Sequence, residues 1–452
     1  MLSINPATGQ EVARYEWHTP AQVEDILAVN QTALRCWRNH RLPERGACLH
    51  KAADILAERT AELAGLITRE MGKPTGEALA EMKRCVNVCR FYADHAEEML
   101  RPEKPAGAPE DASIVFDPLG AVLAIMPWNF PFWQVLRCAA PVLMAGNSFL
   151  LKHAPSVTGC ALAVEEIFSQ CGMPSDLMRT LVLPDERVAE VIADRRVRAV
   201  SLTGSCRAGA AVAAVAGASL KKAVLELGGS DPFIVLADAD ITLAATSAVG
   251  ARFYNAGQTC VSAKRFLVAR PVVNDFIERM AHGVSLLKMG DPTRPEVRIG
   301  PMARDDLRRN LERQVGESVA MGARVVLEGG PEPGPGFYFR PVILADVKPG
   351  MPVFEEEVFG PVASITTVHD AEEALRLANR TRFGLGASVW SANAALARKM
   401  AGLIEAGTVA VNALVKSDPR LPFGGVKDSG FGRELGRQGL LEFVNAKVLR
   451  LP

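Results

Sequence analysis

Between Pro20 and Leu100 apolar residues recur at three- and four-residue steps, with Leu56, Leu63, Leu66 and Ile67 set among Glu, Arg and Lys. That period is the stripe of an amphipathic helix, so the segment is expected to be helical. Pro102, Pro105, Gly107 and Pro109 then break the pattern, as residues that punctuate regular structure. Beyond them short apolar runs alternate with helical stretches. Residues 121–126, 148–152, 199–203 and 222–226 read as strands, and 132–143, 157–170 and 208–215 as the helices between them. After Gly228-Gly229 the alternation restarts, with strands at 232–236 and 265–269 and helices at 242–253 and 273–284. Further strands are expected at 324–327, 362–368 and 408–411, and the glycine-rich stretch Gly329 to Gly336 as a surface loop. Strands alternating with helices predict an α/β fold whose parallel sheets are covered on both faces. Two such bodies are expected, one from 1–100 with 119–228 and one from 229–425.

Composition narrows the partners. The 51 Lys and Arg balance 51 Asp and Glu, which argues against nucleic acid or a membrane surface held by charge. No apolar run is long enough to predict a membrane span. Met1-Leu2-Ser3-Ile4-Asn5-Pro6 has no basic stretch followed by an apolar one, so no secretory signal is expected. Nine cysteines are scattered without a zinc spacing, so no metal site is expected. Cys85 and Cys89 share a helical face, most simply as packed thiols. A reducing cytoplasm suits this usage.

Candidate chemistry lies in four segments. Cys260 ends Asn255-Ala256-Gly257-Gln258-Thr259-Cys260, a glycine-containing loop, and Glu226 lies in Leu225-Glu226-Leu227-Gly228-Gly229. A thiol with a carboxylate in a second glycine-rich turn forms a nucleophile and base. Asn129 sits between prolines in Pro127-Trp128-Asn129-Phe130-Pro131 and can donate to an oxyanion. Gly204 and Ser205, in Thr203-Gly204-Ser205-Cys206-Arg207-Ala208-Gly209, follow a strand and open a helix. Free N–H groups at a helix start suit a pyrophosphate. Taken singly, each segment also fits a bland role: a buried cysteine, a solvated strand-end Glu, an Asn in a turn, a plain glycine turn.

In this order the four segments resemble the NAD(P)-dependent aldehyde dehydrogenase superfamily, over nearly the whole chain. The resemblance implies a Rossmann-like parallel-sheet cofactor domain (1–100 and 119–228) and a second α/β catalytic domain (229–425). It also implies a small β oligomerisation element, a hairpin at 101–118 and a C-terminal strand at 440–452, and a homodimer or homotetramer. Cys260 would add to an aldehyde, lose hydride to give a thioester, and release the acid to water activated by Glu226. Relatives that pass the acyl group to coenzyme A generally lack a base at the Glu226 position, so hydrolysis is expected. The resemblance places Lys152 and the backbone of Met126 and Pro127 at the adenosine ribose, with Trp128, Pro155 and Leu227 lining the cofactor. Glu357, in Glu357-Val358-Phe359-Gly360-Pro361, would hold the nicotinamide ribose, and Phe359 would pack at the nicotinamide.

Two departures bear on cofactor choice. Pro155 stands where NAD-preferring relatives often carry a Glu that repels a 2′-phosphate, while Lys152 and His153 could tolerate a phosphate. A usual glycine-rich turn reads Leu183-Pro184-Asp185-Glu186-Arg187 here. NAD and NADP are both expected, with NAD slightly favoured. Ser201-Leu202-Thr203-Gly204-Ser205 and Ser417-Asp418-Pro419-Arg420 resemble a compact bacterial succinate-semialdehyde dehydrogenase group, as does the short segment before Asn5-Pro6. There Arg137 would hold the substrate carboxylate, with Tyr254 in place of a second Arg and Arg420 across the pocket; Trp133 and Phe132 would narrow the tunnel. Another short aliphatic or aromatic aldehyde, a non-catalytic protein of this fold, and a thiol hydrolase without nicotinamide stand as alternatives.

Overall fold

The computed structural model describes residues 1–451. After a short antiparallel pair, Leu2–Ile4 and Glu11–Arg14, come four helices: Pro20–Arg38, Leu42–Glu58, Thr60–Met71 and Thr75–Met99. The first is capped by Thr19, which accepts from the Gln22 N–H while the Gln22 side chain returns to the Thr19 N–H. Such a reciprocal box satisfies two of the donors a helix start leaves open.

The first body is built on a six-stranded sheet in the order Gly430–Phe431, Lys222–Glu226, Val197–Thr203, Ala121–Met126, Ser148–His153 and Met178–Thr180. Its long strands are parallel, and only Gly430–Phe431 runs antiparallel. Ser148–His153 is buried at every position, as a strand covered on both faces must be. The second body is a seven-stranded sheet, with Asp231–Val235 and Ala263–Ala269 at its centre and the antiparallel Arg324–Leu327 at one edge. Fold class therefore agrees with the alternation of strands and helices along the chain.

Three placements differ from expectation. Residues 101–118 form no long hairpin: Ala112–Pro118 pairs along its whole length with Val444–Arg450, and Glu103 meets Ile114 only in an isolated bridge. The chain beyond 425 returns to the first body, where Gly430–Phe431 pairs with Leu225 and Glu226 and Leu435, Leu440 and Phe443 join the main core. The glycine-rich stretch carries a small strand, Gly330–Pro331, paired with Phe339–Arg340. Among the described residues no helix is long and apolar enough to cross a membrane.

Candidate active site

The turn bearing Asn129 is held from below by a buried ion pair. Glu81 accepts from the backbone N–H groups of Phe132 and Trp133, both at 3.0 Å, and so caps the helix Trp133–Met144. Lys73 pairs with Glu81, and its ammonium lies 3.7 Å from the Phe130 ring centroid. On the other side His153 is buried. Its Nε2 lies 2.9 Å from the Pro131 carbonyl and its Nδ1 3.1 Å from the Met126 carbonyl. Burial lowers its pKa to about 4. His153 is therefore a neutral brace, and the expectation that it could offset a phosphate is corrected.

The cysteine loop is strained and tightly tied. Asn255 and Ala256 sit in the left-handed region at φ of 54° and 50°, a conformation retained only where the surroundings enforce it. Asn255 Nδ2 donates to the carbonyls of Asn129 (3.0 Å) and Gln258 (3.1 Å). Asn129 Nδ2 donates to the same Gln258 carbonyl at 3.1 Å, which leaves its second amide hydrogen free. Buried Arg252 ties this loop to the next, reaching the carbonyls of Val358 and Gly360. At Gly257 a Cβ would lie 2.3 Å from the Gly360 oxygen, so no larger residue fits.

Cys260 keeps part of its surface open, and its neighbours Thr259 and Val261 line a cavity of about 460 Å3. Dense surroundings push the thiol pKa up to about 11, while Arg137 and Lys264 pull it down. Lys264 donates to the Cys260 carbonyl at 2.7 Å and faces Glu357 at 3.4 Å.

Glu226 ends the strand Lys222–Glu226 and is buried, with neither carboxylate oxygen partnered. Burial, and then the neighbouring carboxylate of Glu434, hold its pKa well above the carboxylate range; Arg137 and Arg433 oppose this. A raised carboxyl pKa suits a group that must take a proton from water.

Arg137 is where the sequence expectation fails. Its guanidinium is buried, ion-paired with Glu434 and 5.0 Å above the Phe423 ring. It does not line the cavity, so its charge balances Glu434 and Glu226 instead of meeting a substrate. Arg420 is also absent from the cavity wall. It pairs with Asp418, and its side chain is 73% exposed. Trp133 and Phe132 are buried behind the wall. Tyr254 does line the cavity, together with Phe130, Lys416, Ser417 and Arg84. Arg84 donates to Ser417 Oγ at 2.7 Å and lies 4.3 Å above the Trp133 ring. No local pattern singles Arg84 out, because its partner is 333 positions away in sequence.

The residues expected at the cofactor lie as follows. Ser205 caps the helix Cys206–Ala218, its side chain accepting from the Ala208 N–H at 3.2 Å. Leu227 packs against that helix so closely that a Cβ at Gly209 would be 2.5 Å from its side chain. Glu357 accepts from the Gly229 N–H at 3.1 Å, and a Cβ at Gly228 would stand 2.3 Å from its carboxylate. Glu355 and Glu356 point elsewhere, to the Gly350 N–H and to Arg313. Trp128 and Phe359 meet edge to face at 5.7 Å. Met126 gives its carbonyl to the Ala154 N–H at 2.9 Å. Pro155 opens a short helical turn beside Lys152. Lys152 is paired with Asp185, a partner not foreseen. The unpartnered carboxylate of Glu226 fits a group that activates water beside a reacting carbonyl.

A profile of the aldehyde dehydrogenase family matches residues 1–449. The chain belongs to that family. It is 49% identical over 449 residues to a probable NADP-dependent succinate-semialdehyde dehydrogenase of Synechocystis, covering 99% of each chain. It is 47% identical over 448 residues to the succinate semialdehyde dehydrogenase [NAD(P)+] Sad of Escherichia coli, covering 99% of this chain and 97% of that one. Among solved structures, the succinic semialdehyde dehydrogenase of Streptococcus pyogenes in complex with NADP+ superposes with a TM-score of 0.96 at 36% identity, over 100% of this chain and 99% of that one.

Proposed function

We propose that this protein oxidises succinate semialdehyde to succinate, using NAD+ or NADP+ with NAD+ favoured. One observation carries the substrate: Arg84, fixed by Ser417 and Trp133, puts a guanidinium on the wall of the cavity that Thr259 and Val261 also line. A guanidinium fork suits a carboxylate, and Tyr254 on the same wall can add a neutral hydrogen bond. Arg84 thus takes the role first given to Arg137.

In this reaction Cys260 Sγ bonds to the aldehyde carbon, and its proton passes to solvent. The Asn129 amide and the Cys260 N–H hold the oxyanion. Glu357 would hold the ribose and Phe359 the ring of a nicotinamide, which when bound would supply the oxidation as a hydride acceptor. Glu226 then takes a proton from water, the hydroxide adds to the thioester, and the C–S bond breaks to release the acid and the thiol. Met126, Pro127, Trp128, Lys152, Gly204, Ser205 and Leu227 hold the rest of the dinucleotide. The subunits assemble as a homodimer or homotetramer through the strand Val444–Arg450. The nine unpaired cysteines suit the cytoplasm.

Turnover is tested with succinate semialdehyde and with butyraldehyde, its uncharged counterpart of equal length, following the absorbance of reduced nicotinamide. Arg84→Ala should cost about 2–5 kcal/mol of anchoring, a tens-fold or larger loss of kcat/KM for succinate semialdehyde with little change for butyraldehyde. Equal losses on both aldehydes would remove Arg84 as the anchor. No turnover of succinate semialdehyde by the unaltered protein would remove the substrate.

A further inference from the structure

The adenosine end of the cofactor site holds a carboxylate in an unexpected place. Lys152 lies near the C-terminal end of Ser148–His153, where parallel sheets of this kind receive nucleotides. Its side chain is 7% exposed, and Asp185, paired with it, is 80% exposed. The pairing follows from the chain path. Met178–Thr180 runs parallel beside Ser148–His153, and the Leu181 N–H continues the ladder by donating to the Leu151 carbonyl at 2.7 Å. Buried Leu181 and Leu183 anchor the loop. Pro184 then ends it, and Asp185 is delivered over the edge of the sheet at the start of a short turn.

Among the described residues no free cation balances this carboxylate apart from Lys152. Arg187 donates to the His18 carbonyl at 2.9 Å and pairs with Glu190. Arg304 feels the field of Asp185 but is bonded to Asp306 through Nε and Nη2. His153 is neutral, Pro155 carries no charge, and Glu186 adds an exposed negative charge in the same turn.

We propose that Asp185 is the group that sets cofactor preference: its carboxylate accepts from the ribose hydroxyls of NAD+ and repels the 2′-phosphate of NADP+. This rests on the cofactor site described under Proposed function. A carboxylate that bonds the ribose 2′-hydroxyl is a general device for choosing NAD+. Here it comes from the turn after the edge strand, and it neutralises the Lys152 ammonium, which a 2′-phosphate could otherwise use.

Binding of each nucleotide is measured without aldehyde, by calorimetry on the unaltered protein and on Asp185→Asn and Asp185→Ser. The ratio of Kd for NADP+ to Kd for NAD+ should fall on the order of five- to thirtyfold in both variants, since a nearly doubly charged phosphate loses an exposed repulsion. Raising the salt should shrink the difference between unaltered and variant proteins, because the interaction is exposed. A ratio unchanged within about twofold, in variants with the original melting temperature, overturns the role of Asp185 and leaves the site intact. Failure of the unaltered protein to bind either nucleotide would overturn the cofactor site itself.

Discussion

At the scale of residues, the proposed nucleophile Cys260 is a thiol whose surroundings raise its pKa. A free thiol titrates near 8.5, and here burial raises the pKa to about 11. The thiolate fraction therefore keeps growing with pH well beyond the point where a free thiol has levelled off. Alkylation of the Cys260 peptide by iodoacetamide, read by mass spectrometry, should climb steadily between pH 7 and about 10; a plateau below pH 9 would show a thiol activated before substrate arrives. Candidate residues stand out in the sequence where their surroundings are local. Cys260, Glu226, Asn129 and Glu357 lie in short segments whose glycines and prolines fix the backbone around them. Arg137 was misread because its role depends on Glu434, a residue the fold brings back from the C-terminal segment. Arg84 and Asp185 escaped for the same reason. Each matters through a partner supplied by another element, Ser417 and Lys152 respectively, and no pattern around either residue announces that partner.

At the scale of elements, the site depends on how one helix start is held. Glu81 receives the N–H groups of Phe132 and Trp133 and neutralises Lys73, with both charged side chains fully buried. Removing one member of a buried pair leaves the other charge uncompensated, at a cost of about 3–5 kcal/mol. Glu81→Ala should therefore lower the melting temperature by several degrees or more, whereas Lys73→Met with Glu81→Gln should recover much of the loss. If Glu81→Ala melts with the unaltered protein, the pair contributes little and the turn is held by His153 alone. Elements were legible where burial gives a strong pattern. The runs at 121–126, 222–226 and 362–368 match Ala121–Met126, Lys222–Glu226 and Val362–Val368. Gly386–Trp390 was missed although it is fully buried, because Gly386, Ala387 and Ser388 lack the bulky apolar signature of a strand. Gly430–Phe431 was missed because two residues carry no period at all.

At the scale of the whole molecule, the chain exposes more surface than a compact monomer needs. A folded monomer of 48.5 kDa is expected to expose about 16,600 Å2, and this one exposes 18,386 Å2. Part of that surface belongs to the ribbon formed by Ala112–Pro118 and Val444–Arg450, which joins neither large sheet. Two strands alone are marginal in water, and an open edge is a template for pairing. On the outer strand Val448 is 64% exposed, an apolar side chain placed where a second subunit would cover it. The proposed homodimer or homotetramer would bury this ribbon. Val448→Asp would then put an unpaired charge into the contact, while leaving both large sheets untouched. Sedimentation velocity should find the unaltered protein at twice or four times the chain mass and the variant shifted toward smaller species. An unaltered protein that sediments as a monomer at micromolar concentration would contradict assembly through this strand. So would a variant that keeps the full assembly.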